Sequence, residues 1–156
     1  MEYLDKSLKM SNGLTAVFVD VLSLNAPQFA TSDQQIDMAI WLASRDQTRS
    51  GIGTVGFDVR EIPWRASSFE EDKAFILQTI DAAKAKEQWE QLDYHPNEEW
   101  IIQSLDKFRQ LIEDFTVEFV SSENYQQWQE NKPKETQTCP IHGVYHHWGG
   151  CVVCNN

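Results

Sequence analysis

Apolar positions recur along the chain in two rhythms. From Leu14 to Leu24, in LTAVFVDVLSL, Val17, Val19 and Val21 fall on one side of an alternating, β-branched run, which predicts a strand. TVGFDVREIPW repeats the pattern with Val55, Phe57 and Val59 on one side, and Pro63 ends it because proline has no N–H for a sheet ladder. Between the two, Ser32 precedes Gln35 at capping-box spacing. Ile36, Ala39, Ile40 and Ala43 then recur at helical spacing, predicting a helix over 33–47. Strand, helix, strand is the order of a parallel βαβ unit; a sheet completed by further short strands satisfies the pattern equally well.

Beyond Trp64 the rhythm is helical. Ser68 and Glu71 form another capping-box pair, and Phe69, Ile76, Ile80, Ala83 and Trp89 line one face of a helix ending near Leu92. Pro96 breaks the pattern in DYHPN, since the residue before a proline avoids helix. The next helix starts near Asn97. Trp100, Ile101, Leu105, Phe108, Leu111, Ile112 and Phe115 make its apolar stripe, while Glu98, Asp106, Glu113 and Asp114 lie largely off it. SSENYQQWQE reads as a short helix, and NKPKETQT as a polar linker. The expected fold class is therefore α+β: a small β-sheet with several helices over residues 1–130, a linker over 131–138, and a separate module over 139–156.

That last module changes the picture. All three cysteines and three of the four histidines lie within CPIHGVYHHWGGCVVC, residues 139–154. A tetrahedral ion is commonly held by two pairs of ligands, each pair with two residues between its members. Cys139 and His142 form one such pair, Cys151 and Cys154 the other. Gly143 and Asn155 follow the pairs, and these residue types tolerate the left-handed backbone that such turns require. The predicted ligands of a Zn²⁺ are thus Cys139, His142, Cys151 and Cys154, with His146 or His147 as alternatives to His142. The stretch resembles a zinc ribbon or zinc knuckle in which His142 replaces the second cysteine of the commoner all-cysteine form. The competing reading, a redox pair at Cys151 and Cys154, is the weaker one because such pairs normally open a helix after a strand.

Four protein ligands close a zinc site, which is the arrangement of structural rather than catalytic zinc. The nearest glutamate is Glu135, so no HExxH or HxE acid–base group accompanies the cluster. A nucleic-acid finger is disfavoured as well: residues 135–156 contain no Lys or Arg to meet phosphate. Val144, Tyr145, Trp148, Val152 and Val153 suit docking onto protein instead.

Charge narrows the function further. The chain carries 24 acidic and 13 basic residues, a formal net charge of -11, and residues 87–123 hold ten acidic against two basic residues. Such a field repels phosphate backbones and favours basic partners, although the same composition also makes an ordinary solvated face. No P-loop, GxGxxG, GxSxG or HExxH is present. GIGTVG runs into a predicted strand rather than a helix N-terminus, and His95 with Asp93, Glu98 and Glu99 reads as a polar helix start. The first residues contain no apolar run of the kind a signal peptide needs, so a cytoplasmic location is expected. The sequence as a whole points to a small acidic cytoplasmic binding protein with a structural zinc, an immunity or inhibitor protein that meets a basic toxin or nuclease through Glu98, Asp106, Glu113 and Asp114. The alternatives are a phage or mobile-element regulator acting by nucleic-acid mimicry, and an enzyme with an unrecognised site.

Overall fold

The structure is a computed structural model that describes residues 7–46 and 54–154. Strand β1 (Ser7–Ser11) runs directly into helix α1 (Asn12–Asn25), and helix α2 (Asp33–Ala43) follows. Strand β2 (Thr54–Asp58) then returns antiparallel to β1, with Ser7 opposite Asp58 and Ser11 opposite Thr54. Helices α3 (Phe69–Lys84), α4 (Glu98–Asp114) and α5 (Ser122–Asn131) lead to the C-terminal segment. The described residues are mainly helical with one short strand pair, and the expected α+β class, with its sheet and βαβ unit, is wrong.

The main error lies at residues 14–24, which form a helix and not a strand. Phe18, Val19, Val21, Leu22 and Leu24 are all buried, and so are Thr15, Asp20, Ser23 and Asn25. Helix α1 packs against α2, α3 and α4. A helix covered all round has no polar face, so its sequence loses the 3.6-residue period and cannot be told from a buried strand. Burial of the β-branched residues on several sides outweighs their small helix penalty.

Strand β2 begins where the sequence indicates but stops at Asp58 rather than near Pro63. The Asp58 carboxylate accepts from the Arg60 N–H at 2.8 Å while Glu61 Oε1 accepts from the Asp58 N–H at 2.7 Å, a reciprocal cap that turns the chain into a 3₁₀ turn over Val59–Glu61. Helix α2 starts at the predicted cap, with Ser32 Oγ accepting from Gln35 N–H. Gln47 and the glycine-rich 50–53 lie outside the described residues.

Helix α3 ends at Lys84, eight residues before the expected Leu92. Lys86 stands at φ 65°. The Lys86 N–H donates to Ala83 O and the Glu87 N–H to Ala82 O, the two bonds of a Schellman cap with lysine where glycine is usual. Asn25 Nδ2 also donates to Glu87 O at 2.9 Å, tying this cap to the end of α1.

Helix α4 follows its predicted stripe. Asn97 caps it, and Ile101, Leu105, Phe108 and Ile112 are buried; Trp100, assigned to the stripe, is 59% exposed. At the far end Lys73 Nζ donates to Glu113 O and Phe115 O, placing a cation on the terminal carbonyls. Two aromatic groups fill the core. Phe18, Phe57, Phe108 and Trp41 meet edge-on or tilted, and Trp64 stacks on Phe115 beside Phe69. Helix α5 adds Trp128 to this core, and Lys132 Nζ, just beyond it, donates to Asp37 Oδ2 on α2 at 2.9 Å. No helix of the described chain is long and apolar enough to cross a membrane.

Candidate metal centre

The C-terminal segment is built on two short backbone pairings. Thr138 bridges Tyr145, with the Cys139 N–H donating to Val144 O at 2.8 Å and the His146 N–H to Gln137 O at 2.8 Å. His147 bridges Gly150 and closes the tip of the loop. Gly143, just after the first ligand pair, sits at φ 74°, and its N–H donates to Cys139 O at 2.9 Å. That left-handed turn swings His142 back over Cys139, and glycine adopts it at no steric cost.

The ligand atoms of Cys139, His142, Cys151 and Cys154 all lie within 4.8 Å of one another, close enough to hold a metal ion. His142 Nδ1 is 3.7 Å from Cys139 Sγ, 3.6 Å from Cys151 Sγ and 3.3 Å from Cys154 Sγ. Cys139 Sγ and Cys154 Sγ are 3.6 Å apart. Two backbone N–H groups point at sulfur, from His142 to Cys139 Sγ and from Cys154 to Cys151 Sγ, each at 3.4 Å. The two pairs are thus geometrically alike.

Gathering three sulfurs round one point makes their ionisation mutually dependent. Burial pushes Cys139 up, but N–H groups of His142 and Ile141, with the His142 ring and the Cys154 thiol, outweigh it and bring Cys139 down to about 6. Burial pushes Cys151 up to about 12. Cys154 is raised, chiefly because its thiol bonds Cys139, with burial adding to it. Cys139 therefore ionises more readily than Cys151 or Cys154, and a cation at the centre favours ionisation of all three.

Neither His146 nor His147 belongs to the group. His147 is buried in the loop tip, where its Nδ1 accepts from the Gly149 N–H at 2.9 Å, and burial lowers its pKa with help from the charge of His146. Asp93, His95, Glu98 and Glu99 are exposed or half-exposed and are not brought into any metal-sized group among the described residues.

The segment's apolar side chains do not stand apart. Val144, Cys151, Val152 and Val153 are buried and continuous with the core of the helical body. Trp148, from the loop tip, is half exposed and reaches α5.

The four acidic residues singled out on α4 are exposed, and three already have ion-pair partners inside the chain. Glu98 pairs with Lys86, Asp106 with Lys84 and Glu113 with Arg109; Asp114 accepts from the Gln110 amide at 3.1 Å. Arg109 also grips Asp81 of α3 at 2.7 Å; this hydrogen bond, with the arginine's charge, holds that carboxyl below its ordinary range. Lys84–Asp106 and Arg109–Asp81 form a seam between α3 and α4, while Arg109–Glu113 lies within α4; each pair is worth at most about 1 kcal/mol at the surface.

A feature the sequence does not announce is a cleft of about 220 Å³ walled by indoles from α2, α5 and the loop tip. Its residues come from four separated stretches, so no local motif marks it. No protein-family model matches the chain, and no curated protein or solved structure is similar to it.

Proposed function

We propose that Cys139, His142, Cys151 and Cys154 hold one structural Zn²⁺, and that the protein is a zinc-clipped binding protein for a basic protein partner. The observation that carries the metal assignment is the spacing of the ligand atoms. Zn–S bonds of about 2.3 Å and Zn–N bonds of about 2.0–2.1 Å give tetrahedral edges of roughly 3.8 Å between sulfurs and roughly 3.6 Å between sulfur and nitrogen. The Cys139–Cys154 S···S edge of 3.6 Å and the S···N edges of 3.3, 3.6 and 3.7 Å lie close to those of that tetrahedron, and all four ligand atoms lie within 4.8 Å of one another. Three thiolates and an imidazole suit zinc, and four protein ligands leave no open coordination position for water or substrate.

Support for a basic partner comes from the acidic charge left once the α3–α4 seam is satisfied. Glu90, Asp93, Glu99, Asp114, Glu118 and Glu123 make no ion pair among the described residues. An inhibitor or immunity role in the cytoplasm fits a chain of this charge and size, because a field of one sign speeds capture of an opposite one.

Metal analysis of protein purified under reducing, chelator-free conditions tests the assignment. One zinc per chain is expected, lost in His142→Ala and in Cys151→Ser, with most of the helical circular dichroism kept. A metal-free wild-type chain under those conditions overturns it.

A further inference from the structure

The indole-walled cleft brings together two opposite charges that do not pair. Arg45, two residues beyond the end of α2, holds its guanidinium 4.2 Å above the Trp41 ring, and its Nη2 donates to Ser44 Oγ at 3.0 Å. Its Nε is buried with no acceptor. Glu61 lines the same cleft, and no ion pair joins it to Arg45 among the described residues. Burial works against the charge of Arg45, and the field of Glu61 is the influence that offsets it. A guanidinium that lines a cleft and has no ion pair among the described residues is an unfinished carboxylate site, since the arginine fork matches a carboxylate in plane and spacing.

The rest of the lining is aromatic and amide. Trp128 is buried and its Nε1 is a second donor without an acceptor. Trp148 stands 52% exposed at the mouth. Asn124 is fixed by its own bond to Arg60 O at 2.8 Å. One cation, one anion and three indoles make a locally neutral site in an acidic chain, which rejects polyanions such as nucleotides. A volume of about 220 Å³, at roughly 30 Å³ per water, is the space of about seven waters, which admits a small molecule and not a polymer.

We propose that this cleft binds a free aromatic α-amino acid, with its carboxylate on Arg45, its ammonium toward Glu61 and its ring among Trp41, Trp128 and Trp148. The two ligand charges are carried on one carbon and so match a lining that offers one cation and one anion. This site is independent of the basic partner and of the identity of the metal.

Calorimetric titration of the full, metal-replete chain decides the matter with three probes: L-phenylalanine, 3-phenylpropionate without the ammonium, and 2-phenylethylamine without the carboxylate. Saturable one-site binding of L-phenylalanine is expected, with each analogue at least about tenfold weaker, the loss that follows when a charged hydrogen-bonding group goes unpaired. Arg45→Gln and Glu61→Gln should each weaken L-phenylalanine about tenfold as well. Trp148→Ala, at an exposed position, should weaken binding while helix content and metal content stay unchanged. If Arg45→Gln does not fold, the probe series on the unaltered chain still decides. Absence of saturable binding at millimolar L-phenylalanine, or equal binding of all three probes, overturns the proposal and leaves Arg45 a structural cation packed on Trp41.

Discussion

Trp148, at the tip of the loop between the two ligand pairs, meets Trp128 of α5 edge to face, with ring centroids 5.5 Å apart and planes at 74°. One ring is buried and the other half exposed, so the contact works as a latch between the C-terminal segment and the helical body. Trp128→Ala should destabilise the protein by about 3 kcal/mol or more, the usual cost of emptying a buried indole site. Trp148→Ala should cost about 1 kcal/mol. Urea unfolding of the two variants and the double variant measures the coupling, expected at about 0.5–1.5 kcal/mol; additive effects would mean that the rings touch without holding.

The cap of α3 offers a gain. Lys86 occupies a left-handed position at φ 65° that glycine adopts without strain. Lys86→Gly should raise stability by about 0.5–1 kcal/mol, reduced by the loss of the exposed pair with Glu98. Lys86→Ala separates the two contributions, because it loses the ion pair and keeps the strain. A Gly variant no more stable than the Ala variant would show that the turn is unstrained.

Asp72 is buried on α3, accepting from Ser68 Oγ at 2.7 Å and from Gln35 Nε2 at 3.3 Å. Burial raises its pKa, and these hydrogen bonds only partly counter it. The folded chain therefore holds this proton more tightly than the unfolded one. Its contribution to stability is present below the ordinary carboxylate value of about 4 and is lost as pH rises through the raised folded value. Asp72→Asn removes the titration. Relative to wild type, the variant should gain stability as pH climbs from about 4 toward neutrality, as read by urea midpoints across that range. A constant difference at every pH would show that Asp72 titrates alike in both states.

Of the acidic residues on α4, Glu99 and Asp114 make no ion pair among the described residues, so their charge is free to act outward. Glu99→Lys with Asp114→Lys should slow association with the proposed basic partner severalfold at low salt and leave dissociation nearly unchanged. Stopped-flow or surface-based kinetics against the captured partner reads both rates. Unaltered association at low salt would reduce the acidic face to a solubilising surface.

Legibility in the sequence followed the scale of each feature. The two ligand pairs were readable because Cys139-x-x-His142 and Cys151-x-x-Cys154 are each complete within four residues, and the structure gathers those same four. Helix α4 was readable because one face is buried and the other wet, with Asn97 announcing its start. Helix α1 was misread because tertiary contacts cover it all round and erase its period. The end of α3 was invisible since Lys86 and Gln88 take left-handed conformations in a stretch without Gly, Asn or Pro. The pairing of Ser7–Ser11 with Thr54–Asp58 joins segments more than forty residues apart, and SLKMS carries no strand signal of its own. Trp41, Arg45, Glu61 and Trp128 become neighbours only after that pairing and the helix packing are in place.

Because Val144, Cys151, Val152 and Val153 belong to the same buried cluster as the helices, any ion that fixes them acts on the whole molecule by mass action. Each tenfold rise in the free ion above its dissociation constant adds about 1.4 kcal/mol to the stability of the folded chain. In a cell, the abundance of this protein would then track metal supply, with starved chains opening more often to proteases.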